Sequence, residues 1–136
     1  MTAVVSELTE TNMWHVVCGL TDLAVERGAA ALIDGEQVAL FRLVDDRVFA
    51  IQQLDPYSGA YVLSRGIVGS RGEVPTVASP MYKQVFDLTT GRCLEPIGAE
   101  PVHLRTWQVR VEGGVVQVGA VVDAVEPDLT APAAPL

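Results

Sequence analysis

Residues 29–54 read AAALIDGEQVALFRLVDDRVFAIQQL, and this stretch decides the fold. Asp34-Gly35 supplies the positive φ angles that a type I′ turn demands, so AAALI and EQVALFRL are expected to pair as a hairpin. A second reversal at Asp45-Asp46 returns the chain through RVFAIQQL, Arg47 to Leu54, and completes a three-strand meander with alternating faces. Upstream, MWHVVCGL (Met13 to Leu20) has the β-branched and aromatic content of a strand. The TDLAVERG that follows suggests a helical turn capped by Thr21 and stopped at Gly28. Downstream, VHLRTWQVRVE and VVQVGAVV flank Gly113-Gly114, which is another hairpin signal. Between these ends, Thr76 to Ala78 and Gln84 to Leu88 read as short strands, and Thr89-Thr90-Gly91 turns the chain into Arg92-Cys93-Leu94. The expectation is an all-β domain, a small antiparallel sandwich or barrel carrying a hairpin insertion with two loops.

Composition agrees. The 136 residues fit one domain, and 49% of them are hydrophobic, with a mean hydropathy of +0.31, which excludes a disordered chain. Val occurs 22 times, beside 12 Gly and 8 Pro, favouring short strands joined by tight turns over a helical bundle. Residues 1–12 are polar and aperiodic and 123–136 are rich in Pro and Ala, so flexible ends are expected around a domain spanning 13–122. The net charge is −8, and the bases are eight Arg and a single Lys, which argues against a nucleic-acid-binding surface. No apolar run approaches the roughly 18 residues of a membrane span, and Glu7 and Glu10 stand where a signal peptide carries Lys or Arg, so the reading is cytoplasmic and without a membrane partner.

Residue constellations for chemistry are sparse. His15 and His103 lie 88 positions apart in different strands. In an extended strand, His15 and Cys18 point to opposite faces, so they do not chelate together. Cys18 and Cys93 read as small buried hydrophobes. There is no G-x-S-x-G elbow, and GIVGSRG lacks the Lys-Ser/Thr ending of a phosphate loop, so its glycines at 66, 69 and 72 read as a hairpin tip. Asp45 and Asp46 sit in a turn as a solvated pair. No catalytic residue stands out.

Two loops carry a specific pattern. LDPYSG (Leu54 to Gly59) and SPMYKQVFDLTTG (Ser79 to Gly91) match in frame the two cluster-binding loops of Rieske ferredoxins, C-P-H-x-G and C-P-x-H followed by G-x-x-F-x-x-x-x-G. Pro56 and Pro80, Phe86, Asp87 and Gly91 persist. The four cluster-ligand positions are occupied by Asp55, Tyr57, Ser79 and Tyr82. WHVVCGLTDL, ALFRL and RVFAI also come in the usual order, so the resemblance covers about residues 13 to 119. With SRGIVG, ASPMYKQ and TGRCLE, the chain resembles the small subunit of the cytoplasmic NAD(P)H-dependent nitrite reductase.

The resemblance implies a Rieske-like antiparallel β sandwich or barrel with a two-loop hairpin subdomain and no redox centre of its own. It also implies a large-subunit partner holding FAD, an iron–sulfur cluster and sirohaem, where nitrite is reduced by six electrons to ammonium in nitrogen assimilation. The donor chemistry agrees, because carboxylate, hydroxyl and phenol oxygens are hard ligands and iron–sulfur irons prefer thiolate and imidazole. Tyr57 and Tyr82 are expected to pack between the loops, with a tyrosine hydroxyl bonded to Asp55 as a staple. The loop end, with Arg65, Gly66, Arg71, Lys83 and Gln84, is the expected docking surface for the large subunit. Two other readings stand beside this one: a stand-alone binding module using the space between the loops, and a ferredoxin with unusual ligands.

Overall fold

The computed structural model of the chain describes residues 14–124. The expected flexible end at 1–12 lies outside the described residues, and so does the one at 123–136 apart from Asp123 and Ala124. Among the described residues ten strands form: β1 His15–Gly19, β2 Gly28–Ile33, β3 Glu36–Arg42, β4 Val48–Gln52, β5 Ile67–Arg71, β6 Val74–Ala78, β7 Val85–Asp87, β8 Cys93–Glu95, β9 Thr106–Glu112 and β10 Val115–Val122. One sheet holds six strands in the order β1-β10-β9-β4-β3-β2, and a second holds β5-β6-β7-β8. All ladders within both sheets are antiparallel.

The turns are where the local chemistry puts them. Asp34 and Gly35 have φ of 50° and 81°, Asp46 has 67°, and Gly113 and Gly114 have 59° and 77°. Of the three glycines expected at a hairpin tip only Gly72 is there, in the turn where β5 and β6 pair Arg71 with Val74; Gly69 lies within β5 opposite Thr76, and Gly66 precedes the strand. The turn after β1 differs from expectation. It is a single 3-10 turn over Leu20–Asp22, closed by the Asp22 carboxylate accepting the Gly19 N–H at 2.8 Å, so Thr21 lies inside it rather than capping it. Gly28 opens β2 instead of ending a helix. A Cβ there would collide with the Ser64 carbonyl, so only glycine lets β2 approach that segment.

The meander is buried differently from the simple alternation its sequence suggests. Val38 and Leu40 of β3 join the core enclosed by the six-stranded sheet, which every strand of that sheet helps to line. Ala39 and Phe41, on the opposite face of β3, join a second core with Val77, Phe86, Cys93 and Leu104. β3 is therefore buried on both faces because the second sheet lies against it. Phe86 is wholly buried there, worth on the order of 2–3 kcal/mol by the area it removes from water.

Candidate functional site

The two loops that carry the pattern are built on one hydrogen-bonding plan. In the first, the Asp55 N–H donates to the Ala60 carbonyl (2.8 Å) and the Asp55 carbonyl accepts the Gly59 N–H (2.8 Å). In the second, the Ser79 N–H donates to the Gln84 carbonyl (2.9 Å) and the Ser79 carbonyl accepts the Lys83 N–H (3.1 Å). In each, the leading side chain also takes the amide two residues on: Asp55 Oδ1 accepts from Tyr57 at 2.9 Å, and Ser79 Oγ accepts from Met81 at 3.1 Å. These are Asx- and Ser-type turns, the reason short polar residues suit both places.

The loops are joined by a clasp. Ser79 Oγ donates to Asp55 Oδ2 at 2.6 Å, between side chains that are 2% and 0% exposed. The bond is short and shielded from water, which places it among the stronger protein hydrogen bonds. The staple is thus a serine hydroxyl, not a tyrosine. Serine reaches because both leading positions face the space between the loops, whereas the tyrosines follow two and three residues later.

The tyrosines part company. Tyr57 leans its ring toward Phe86, with centroids 6.2 Å apart, and packs on the second core. Its hydroxyl donates to the Glu100 carbonyl and accepts the Val102 N–H, both at 2.8 Å, and lies 3.4 Å from Cys93 Sγ. Tyr57 therefore ties down the strap of residues 96–105 between β8 and β9. Burial, reinforced by the adjacent Cys93 thiol, pushes its phenol up to about 12, so it stays a neutral donor. Tyr82 is 56% exposed and does not pack between the loops. The strap was not legible beforehand, since nothing local to Glu100 or Val102 signals a tyrosine 43 or 45 residues away.

The residues expected to dock also divide. Arg65 and Lys83 are exposed and make no ion pair among the described residues. Arg71 is committed to an ion pair with Glu95. Gln84 is buried, with Oε1 lacking a hydrogen-bond partner among the described residues, so it offers nothing to a partner's surface. Gly66 is held where a Cβ would meet the Ala78 carbonyl, which makes it a packing residue. Lys83 adds a feature the pattern could have flagged. It takes φ 69° at the position where the ferredoxin pattern has Gly, and where the first loop has Gly59 at φ 78°.

The histidines take structural places. His15 is buried, with Nε2 3.4 Å from Asp34 Oδ2. His103 Nδ1 accepts the Cys93 N–H at 2.9 Å, and burial followed by the Arg92 charge lowers its pKa. Cys18 and Cys93 are both buried free thiols, and burial pushes Cys18 up. No group of three or more His, Cys, Asp or Glu side chains capable of holding a metal exists among the described residues. The donor set at the four pattern positions does not fit a [2Fe–2S] cluster: Asp55 and Ser79 are spent on each other and on their loop amides, and Tyr57 points at the strap.

Comparison with known proteins sets this geometry in a family. Residues 13–119 match the Rieske-like [2Fe-2S] domain. The chain is 40% identical over 108 residues to the NADH nitrite reductase small subunit of Escherichia coli K12, covering 79% of this chain and 97% of that one. It is 42% identical over 106 residues to part of the NAD(P)H nitrite reductase large subunit of Klebsiella oxytoca, 78% of this chain but 11% of that protein. A crystal structure assigned to an NADH-dependent nitrite reductase small subunit from Mycobacterium tuberculosis superposes with a TM-score of 0.75 at 43% identity, covering 84% of this chain and all of that one. By fold, coverage and identity, the chain belongs to the NADH nitrite reductase small subunits, a family built on the Rieske-like domain.

Proposed function

We infer that this chain is the small subunit of an NAD(P)H-dependent nitrite reductase and works in company with the large subunit. The observation that carries the reading is the match along almost the whole length of a small subunit, together with the recurrence of the same segment inside a large one. A module that is fused to the large chain in one relative and separate in another acts beside that chain in both. Fusion replaces an encounter in solution by a high effective concentration, and it supports equimolar pairing of the separate chains.

The redox work falls to the large subunit, which in this reading holds FAD, an iron–sulfur cluster and sirohaem and reduces nitrite to ammonium for nitrogen assimilation in the cytoplasm. This chain supplies no catalytic residue and carries no cluster. Its domain spans residues 13–122. Its contribution is a rigid shape: the Asp55–Ser79 clasp fixes both loops without a metal, so their outer surface is organised before the partner arrives. Among the described residues no helix is long and apolar enough to cross a membrane.

The test is nitrite-dependent NAD(P)H oxidation by the large subunit from the same organism, with and without this protein, beside co-purification of the two. Retention of this chain and a dependence of activity on it are the expected results. A large subunit fully active alone, retaining none of this protein, overturns the reading.

A further inference from the structure

The outer face of the second sheet is apolar at one end only. Strand register places Ile67 opposite Ala78 and Ala78 opposite Val85, while Val68, Val77 and Phe86 form the inner row that meets the core. The outer row crosses three strands, and Ile67 is 74% exposed. The turn joining β6 to β7 lies at the same end and adds Met81 and Tyr82, 46% and 56% exposed. Farther along the same face the character changes. Gly69, Thr76 and Asp87 follow, and the apolar row itself ends on the fourth strand at Glu95, opposite Val85 and neutralised by Arg71. An antiparallel sheet commonly presents a polar outer face to water, so an apolar row continuous with an apolar turn marks a contact surface.

Cations flank this end. Arg42, Arg47, Arg71, Arg105 and Arg110 have carboxylate partners within 4 Å; Arg27, Arg65, Lys83 and Arg92 have none among the described residues, and two of these four, Arg65 and Lys83, adjoin the apolar row. Arg65 stands two residues before Ile67 and Lys83 two before Val85. Lys83 also sits in left-handed backbone, which disfavours an L side chain and which Gly59 occupies freely in the matching loop.

Resting on the small-subunit reading, we propose that this end of the outer face, with Ile67, Met81 and Tyr82 at its centre and Arg65 and Lys83 at its rim, docks on an apolar surface of the large subunit bordered by carboxylates. On a chain of net charge −8, two unpaired cations beside the apolar centre give the approach its orientation and the complex its register.

The experiment titrates the full-length chain and its variants against the cofactor-loaded large subunit at low and high salt, with melting temperature recorded for each. Ile67→Asp and Tyr82→Asp are expected to weaken binding at least about tenfold, the scale of an interface hot spot, with unchanged melting temperature. Val44→Asp, at an equally exposed apolar residue on the β3–β4 turn, is expected to bind as the parent does. Lys83→Gly separates structure from docking: it should melt higher, because the backbone strain is gone, yet bind several-fold more weakly and with less salt dependence. If the parent binds and both aspartate variants bind within about twofold of it, the face is wrong while the small-subunit reading stands. A loss with Val44→Asp equal to theirs also overturns the face. If the parent neither binds nor supports activity, the small-subunit reading falls and the docking face falls with it.

Discussion

The two loops share a sequence plan and a backbone hydrogen-bonding plan, yet their tyrosines have opposite fates. Tyr57 follows Asp55 by two residues, is half-buried and holds the strap, whereas Tyr82 follows Ser79 by three and stands in solvent. The leading residues did not diverge in this way; Asp55 and Ser79 are buried and bonded to each other. The position nearest the junction of the loops keeps a joining role even with oxygen chemistry in place of thiolate. The positions beyond it are free to become a strut in one loop and surface in the other.

The comparison breaks most visibly at the clasp. Asp55→Ala removes the acceptor for both the Ser79 hydroxyl and the Tyr57 amide in a dry site, and should cost about 3 kcal/mol in denaturant unfolding. A loss under about 1 kcal/mol would mean the loops hold together without it. Between the tyrosines the contrast should be sharp. Tyr57→Phe forfeits both strap hydrogen bonds and should cost about 1–2 kcal/mol, with faster amide exchange at Val102, while Tyr82→Phe should move stability by less than about 0.5 kcal/mol. Equal effects would erase the asymmetry.

A smaller effect comes from pH. Burial, and then the Arg92 charge, hold His103 below its ordinary value of 6.5, so the fold favours the neutral ring whose Nδ1 accepts the Cys93 N–H. That stabilisation is complete above the unfolded pKa and is lost as pH falls through the lower folded value. Exchange of the Cys93 amide, corrected for its intrinsic rate, should quicken in that window. No change in protection across it would show that the strap's root does not depend on the imidazole.

Much of this architecture was legible because its determinants are local. Asp34-Gly35, Asp45-Asp46 and Gly113-Gly114 each specify a reversal through the residues in the turn itself, and strands follow from what lies between. The family pattern likewise singled out Asp55, Tyr57, Ser79 and Tyr82, which lie in two loops joined by the Asp55–Ser79 hydrogen bond. Burial of β3 on both faces was not legible, because it depends on a second sheet whose strands come later in the chain. Nor was the identity of the hydroxyl that reaches Asp55, a choice made by geometry between residues 24 apart. Gln84 and Lys83 are neighbours of like hydrophilicity, and only the turn's backbone sends one inward and the other outward.

A buried Asp55–Ser79 hydrogen bond joins the loops in this small subunit. A double-mutant cycle over Asp55→Ala and Ser79→Ala, read by equilibrium unfolding, tests it most directly. A coupling of about 1–2 kcal/mol is expected, with the double variant less destabilised than the sum of the singles. Strictly additive losses would contradict it.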